Sequence, residues 1–345
     1  MTTVVVTSFF EEEYIQQIRE TDGRLEVLYR EELVPPPRWG GDHAGPAGWR
    51  RSPQQEEEFL GMLAEAEVLF DFPRGNVEDL ARVASKLRWV QGSMAGAGEI
   101  SARANLQETA ITVTTASGVF SSSLAEFALA GLLSHAKRLD SLRNDKQNKL
   151  WREDFVSETL RDKTLCIVGM GSIGRAVAGL ARPFGMRILG VKRTVREEEP
   201  ARDYADELYT TEHLGDALRE ADYVVVTLPS TPETEHLLDE EAIRVMKPGA
   251  YFVNVGRGKV VDEGALTGAL KDGHLSGAAL DVFEEEPLPE ESPLWGLENV
   301  VISPHATDNV PDLTNRLLAD LFRENLRRYL AGEDLVNVLD KRLLY

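Results

Sequence analysis

The chain has 345 residues, 42% of them hydrophobic, with 38 lysines and arginines against 58 aspartates and glutamates, for a formal net charge of -20 at pH 7. This length predicts two domains, at roughly 100 to 200 residues each, and the apolar share suits packed globular cores. The charge argues against nucleic acid or an anionic membrane surface as partner, since both would repel the chain at long range, yet a small acid can still be drawn to a basic cleft.

The N-terminal stretch MTTVVVTSFFEEE has no basic region and turns acidic after a β-branched run, so it reads as a first strand and not as a signal peptide. No apolar run approaches the roughly 18 residues of a membrane span, and a cytoplasmic location is expected. Up to about residue 116, the runs TVVVTSF, LEVLY, EVLFDF, LRWVQG and AITVTTA alternate with helix-like segments such as VEDLARVASKL. That alternation predicts a parallel sheet wrapped by helices. It is interrupted by PPPRWGGDHAGPAGWRRSP at 35–53, where Pro and Gly preclude regular structure. Loops of this length are usually functional or disordered. Arg38, Trp39, Trp49, Arg50 and Arg51 are candidates for a lid or a subunit contact, against the plainer reading of a surface excursion packed by its own tryptophans.

A long amphipathic helix is predicted over SSSLAEFALAGLLSHAKRLDSLRNDKQNKLW. The runs KTLCIVG, MRILGVK, ADYVVVTLP, GAYFVNVG, SGAALDV and NVVISPH follow. They are short, nearly all apolar, and stop at Gly or Pro, as strands buried on both faces should. The single cysteine, Cys166, falls in the first of them and reads as a buried core thiol, with no metal cluster expected. The closing helix VPDLTNRLLADLFRENLRRYLAG is expected to return the chain to its first domain. The expected division is a substrate domain of 1–116 completed by 309–345, and a dinucleotide-binding domain of 117–308.

LCIVGMGSIGRAVA places Gly169, Gly171 and Gly174 at G-x-G-x-x-G spacing, with Ser172 and Ile173 between them, after a strand and before a helix. The first glycine allows the tight turn, the second lets backbone approach a pyrophosphate, and the third lets helix pack on strand. The helix start then offers free N–H groups to the phosphates. At the end of the next strand, where an acid would bind the ribose hydroxyl, stand Lys192, Arg193 and Thr194. Two cations and a hydroxyl suit a 2'-phosphate, so NADP(H) is expected in preference to NAD(H), which stays possible.

The ordered motifs GMGSIGRAVAGLARPFGM, VVVTLPSTPETEHLL, MKPGAYFVNVGRGKVVDEGAL, GHLSGAALDVFEEEPLP and NVVISPH make the chain resemble the D-isomer-specific 2-hydroxyacid dehydrogenases over nearly its whole length. The resemblance implies two doubly wound parallel-sheet domains, one of Rossmann type and one flavodoxin-like, with a cleft between them. It implies a reaction interconverting 2-keto acids and D-2-hydroxy acids, and catalysis by Arg257 in NVGRG, Glu286 in FEEEP and His305 in ISPH, with Glu284 and Glu285 left at the surface. His305 would move the proton, Glu286 would fix its tautomer, and Arg257 would anchor the substrate carboxylate.

By the same matching, Ala95, Gly96 and Ala97 would hold the substrate carboxylate through backbone N–H groups, although Gly98 stands where many members have an acid. Asp281 would contact the nicotinamide carboxamide, and Leu228, Pro229 and Thr234 would line the adenosine pocket, unless these four only pack strand ends. A homodimer through 121–150 is implied. The family also contains dinucleotide-sensing corepressors, which makes an interaction protein with little turnover the alternative. The short stretch after the return helix argues against the phosphoglycerate dehydrogenases that carry a C-terminal regulatory domain. Glyoxylate, hydroxypyruvate and bulkier keto acids are all open as substrates.

Overall fold

The computed structural model describes residues 1–195 and 204–344. Its contacts divide the chain into two compact units, Met1–Phe120 with Asn309–Tyr345, and Ser121–Asp308. No helix among the described residues is long and apolar enough to cross a membrane.

The first unit holds β1 (Thr2–Val6), β2 (Leu25–Leu28), β3 (Val68–Phe70), β4 (Trp89–Gln91) and β5 (Thr112–Thr114), all parallel, in the order β2-β1-β3-β4-β5. That is the flavodoxin-like order. Helices α1 (Glu12–Arg19), α2 (Pro53–Glu65), α3 (Leu80–Val83) and α4 (Gly98–Arg103) lie between the strands. Strand side chains alternate between faces, so Val5, Leu69 and Val90 enter one core while Val4, Val6, Phe70 and Trp89 enter the other. The second core is closed by the long C-terminal helix, whose Phe322 ring lies 5.1 Å from Phe70 and 5.4 Å from Trp89. Buried polar groups on the sheet are paired: Trp89 Nε1 donates to Thr114 Oγ1 at 2.8 Å, and Gln91 Oε1 accepts from Thr114 Oγ1 and from Asn325 Nδ2.

The second unit starts with α5 (Ser121–Lys137) and α6 (Leu139–Gln147). Its strands are β6 (Thr164–Val168), β7 (Arg187–Lys192), β8 (Glu207–Thr210), β9 (Tyr223–Val226), β10 (Ala250–Asn254), β11 (Leu275–Leu280) and β12 (Val300–Ile302). They pair in parallel as β12-β11-β10-β9-β6-β7-β8. Counted from the unit's own first strand, this is the dinucleotide-binding order 3-2-1-4-5-6 with one strand added. Helices α7 (Ser172–Ala181), α8 (Leu214–Glu220), α9 (Glu240–Val245) and α10 (Glu263–Lys271) connect them, and α11 (Pro311–Ala331) returns the chain to the first unit. The expected fold class of two doubly wound parallel sheets is the one observed. Cys166 is fully buried, and burial pushes its thiol up to about 12, which leaves it inert.

Three local expectations need correction. VEDLARVASKL forms only the single turn α3, because Asp79 makes no cap hydrogen bond and pairs instead with Arg82 at 2.9 Å; an uncapped short helix does not recover its nucleation cost. The long helix expected over 121–151 breaks at Arg138, which sits in the left-handed region at φ 50°. The Ala136 carbonyl, which a continuing helix would offer to residue 140, is taken by Glu158 N at 2.8 Å. Strand β8 was not expected because ELYT is a four-residue edge strand with a single aliphatic side chain, and its Glu207 pairs with Arg187.

Residues 35–52 of the loop have no helix or strand, as expected, Pro53 opens α2, and the loop's own unit holds it down. Asp42 accepts from Arg38 N, Nε and Nη2 and from the backbone of Ala44 and Gly45. The Arg51 guanidinium lies 3.5 Å over Phe59 and donates to the carbonyls of Leu33 and Arg74.

Candidate active site

At the end of β6 the chain turns through Gly169 at φ +112°, where a Cβ would stand 2.7 Å from Thr227 Oγ1. A Cβ on Gly174 would stand 2.0 Å from the Gly169 carbonyl oxygen, so α7 can rest on the turn only with glycine there. Gly171 is different: it is exposed, and a Cβ would meet nothing within 4 Å. It is also the N-cap of α7 and supplies no side-chain cap, which leaves the N–H groups of the helix start, at Ser172, Ile173 and Gly174, facing an open cradle. The open cradle is suited to a pyrophosphate.

At the end of β7, half-buried Lys192 pairs in register with Thr210 of β8, and Arg193 and Thr194 are exposed. The sequence motifs did not single out Arg175, whose guanidinium lies 4.4 Å over the Tyr204 ring and whose Nε donates to Met170 O. Its place directly after the third glycine was the available signal. Thr234 Oγ1 donates to Pro229 O at 2.7 Å and accepts from Thr231 N at 2.8 Å, so this hydroxyl builds the turn that follows Leu228 and Pro229.

Two tight turns carry the candidate catalytic residues. At the end of β10, buried Asn254 accepts from Gly256 N at 3.0 Å and donates to Arg257 O at 3.1 Å, shaping the turn that presents Arg257. A Cβ on Gly258 would stand 1.9 Å from the Phe283 carbonyl carbon, so this turn lies directly against the FEEEP turn. There Glu286 Oε1 accepts from Phe283 N at 3.0 Å, and Oε2 sits 2.8 Å from His305 Nδ1. With Nδ1–H donating to the carboxylate, Nε2 of His305 stays outside this hydrogen bond.

Asp281, 1% exposed at the end of β11, accepts from Ala306 N at 3.1 Å and Thr307 N at 3.3 Å, which fixes the segment after His305. Its Oδ2 is buried without a hydrogen-bond partner among the described residues, and an orphaned buried acceptor calls for a donor from outside the chain. The carboxamide of a nicotinamide has the donor it lacks. The turns thus bring Arg257, Glu286 and His305 together with Asp281.

Asp308, which the sequence reading did not single out, belongs to the same electrostatic group. Burial pushes its carboxyl up, as does the charge of Asp281, while His305 and Arg257 oppose the rise. Glu284, expected at the surface, is half-buried and accepts from His236 Nε2 at 2.9 Å and from Glu263 N at 3.0 Å. Glu285 is exposed, as expected.

In the first unit, the loop after β4 is held by Asp71, which accepts from Ser93 N and Oγ. Ala95 and Gly96 are exposed beyond it, and Ala97 is buried as the N-cap of α4. A Cβ on Gly98 would stand 2.0 Å from Leu344 O. The C-terminal segment therefore fills the space an acid at this position would need, which accounts for the departure noted in the sequence.

The sequence profile described as D-isomer specific 2-hydroxyacid dehydrogenase, NAD binding domain, matches residues 129–307. The chain is 38% identical to the glyoxylate reductase of Korarchaeum cryptofilum, over 86% of this chain and 90% of that one. It is 35% identical to the glyoxylate reductase of Aeropyrum pernix, over 85% of this chain and 88% of that one. Among solved structures, it is similar to the D-isomer specific 2-hydroxyacid dehydrogenase from Xanthobacter autotrophicus Py2 in complex with NADPH and MES. There the TM-score is 0.78 at 28% identity, covering 100% of this chain and 99% of the other.

Proposed function

The chain belongs to the D-isomer specific 2-hydroxyacid dehydrogenase family, oxidoreductases that use a nicotinamide dinucleotide to interconvert 2-keto and 2-hydroxy acids, and from that premise we propose that Arg257, Glu286 and His305 carry the reaction on a small keto acid of the glyoxylate class. The observation that carries this reading is the 2.8 Å contact between His305 Nδ1 and Glu286 Oε2, in a turn that abuts the one presenting Arg257.

When bound, the dinucleotide supplies the hydride that reaches the carbonyl carbon. The chain supplies the rest. His305 gives a proton from Nε2 to the carbonyl oxygen in reduction and takes it back in oxidation. Glu286 holds the imidazole in one tautomer and stabilises its cationic form. Arg257 pairs its guanidinium fork with the substrate carboxylate and polarises the keto oxygen. Asp281 fixes the backbone after His305 and offers Oδ2 to the carboxamide.

In this reading Ser121–Asp308 holds the dinucleotide, with Gly171 and the start of α7 at the pyrophosphate and Leu228, Pro229 and Thr234 at the adenosine end. The loop at Ala95, Gly96 and Ala97 offers its backbone N–H groups to a carboxylate. Lys192, Arg193 and Thr194 favour the 2'-phosphate of NADP(H) over NAD(H). A homodimer through 121–150 is supported by Leu139, Leu142 and Leu150 and by 92%-exposed Trp151, an apolar group of the kind that marks interfaces.

The test is oxidation of NADPH and, separately, of NADH by the purified protein with glyoxylate, hydroxypyruvate and bulkier keto acids, beside His305→Ala. Turnover with NADPH that the variant loses is the expected result. Tight dinucleotide binding with no turnover of any keto acid overturns the proposal in favour of a sensor.

A further inference from the structure

Glu284 stands two residues before the carboxylate that holds His305, on a turn with no helix or strand of its own, and its partners lie on another turn and at the start of α10. Oε1 accepts from Glu263 N at 3.0 Å, and Glu284 N in return donates to Glu263 Oε2 at 3.1 Å. Glu263 is the first residue of α10, so its N–H is one of the helix-start donors that need an outside acceptor. A carboxylate is also the group that the helix dipole favours at that end. His236 Nε2 reaches the same Oε1 at 2.9 Å, which offsets the crowding of two acids. The backbone of His236, at φ 48°, donates to Lys259 O at 2.8 Å, two residues beyond Arg257. A continuous chain of hydrogen bonds therefore runs from the Arg257 turn through His236 and Glu284 to the turn of Glu286.

We propose that Glu284 is a positioning residue: with His236 and Glu263 it forms a clasp that sets the Glu286 turn against the Arg257 turn, so that His305 and the carboxylate-binding guanidinium are held in register. This rests on the catalytic reading of Arg257, Glu286 and His305 above. The close packing of Gly258 on Phe283 maintains the fold of the two turns without the clasp, and the clasp removes the remaining freedom of residues 284–286.

The experiment compares Glu284→Ala, Glu284→Gln, Glu285→Ala and His236→Ala in steady-state reduction of glyoxylate, with dinucleotide affinity and Tm measured alongside. Misplacement of about 1 Å costs on the order of 100-fold in rate, so loosening one turn in Glu284→Ala is expected to lower kcat roughly ten-fold, with dinucleotide affinity unchanged. Glu284→Gln keeps an acceptor oxygen for both donors and is expected to restore most of kcat. Glu285→Ala, a change at the exposed neighbour, is expected to match the parent.

A kcat for Glu284→Ala equal to that of Glu285→Ala overturns the proposal. So does a Glu284→Gln variant as slow as Glu284→Ala, since that would assign the effect to charge alone. If Glu284→Ala does not fold, His236→Ala decides: an unchanged kcat there overturns the clasp, and a several-fold loss with unchanged Tm upholds it. His305→Ala is run in parallel. Parent turnover that persists in His305→Ala sinks the catalytic reading and the clasp with it, whereas a failure confined to Glu284 sinks the clasp alone.

Discussion

Gly171 and Gly174 stand three residues apart in one motif and make opposite steric demands, which separates cofactor binding from folding at the level of single atoms. A methyl group at Gly174 must push against the Gly169 carbonyl 2.0 Å away, and overpacking of that kind costs about 1–3 kcal/mol. Gly174→Ala is therefore expected to lower both Tm and dinucleotide affinity. A methyl at Gly171 meets nothing within 4 Å in the chain and obstructs only the space a pyrophosphate would enter. Gly171→Ala is expected to weaken dinucleotide binding with Tm unchanged in the free protein, read by calorimetry and titration; an equal fall in Tm for both variants would contradict this division. Glu263 supplies a second test at this scale. Burial pushes its carboxyl up, with the charges of Glu284 and Glu285 adding to the rise. A carboxyl raised on folding adds stability below its unfolded pKa and loses it as pH rises through the folded value. Glu263→Gln, which keeps an acceptor for Glu284 N, is therefore expected to raise Tm at pH 7, with the gain shrinking as the pH is lowered through the carboxylate range.

The 35–53 loop shows how an irregular element is stabilised without a ladder of its own. Burial alone would raise the Asp42 carboxyl, but the Arg38 guanidinium and the backbone N–H groups of Arg38 and Gly45 outweigh it and hold the group near 2, against a usual 3.8. A carboxyl depressed on folding contributes stability above its unfolded pKa that is lost as pH falls through the folded one. The loop is thus expected to loosen between about pH 4 and pH 2, and Asp42→Asn to loosen it already at neutral pH, both read as faster amide exchange or protease nicking within 35–53. Exchange in the loop that is as slow in Asp42→Asn as in the parent would remove Asp42 from this role. The elements that were legible in the sequence are those in which one period dominates: the apolar strands β6, β7, β9 and β10, the amphipathic α11, and the glycine turn before α7. What stayed hidden depends on contacts made only when the chain folds. At the break at Arg138 the Ala136 carbonyl turns to Glu158 N, Glu207 of β8 is answered by Arg187 on the neighbouring strand, and the role of Asn254 arises only when Gly256 and Arg257 fold back on it. Arg257, Glu286 and His305 could be named from family motifs, yet the role of Glu284 could not, because its hydrogen bonds to His236 and Glu263 join three motifs that only the fold brings together.

Over the whole molecule, 58 acidic side chains face 38 basic ones, and the net charge of -20 sets a repulsion that short-range pairs do not cancel. Individual surface pairs, such as Arg187 with Glu207 and Glu220, are worth about 0–1 kcal/mol each. The excess acids act on one another over the Debye length, which is about 30 Å at 0.01 M salt and about 8 Å at 0.15 M. The first distance is on the scale of a domain, and the second spans only near neighbours. Raising neutral salt between these values is therefore expected to raise Tm, because it removes the long-range repulsion while leaving hydrogen-bonded pairs at 3 Å or less nearly unscreened. The same screening is expected to speed the association of an anionic keto acid, whose approach at low salt is opposed by the whole molecule and favoured only locally by Arg257. A Tm that falls with salt over this range would mean that local ion pairs outweigh the net charge, and substrate association should then slow as well.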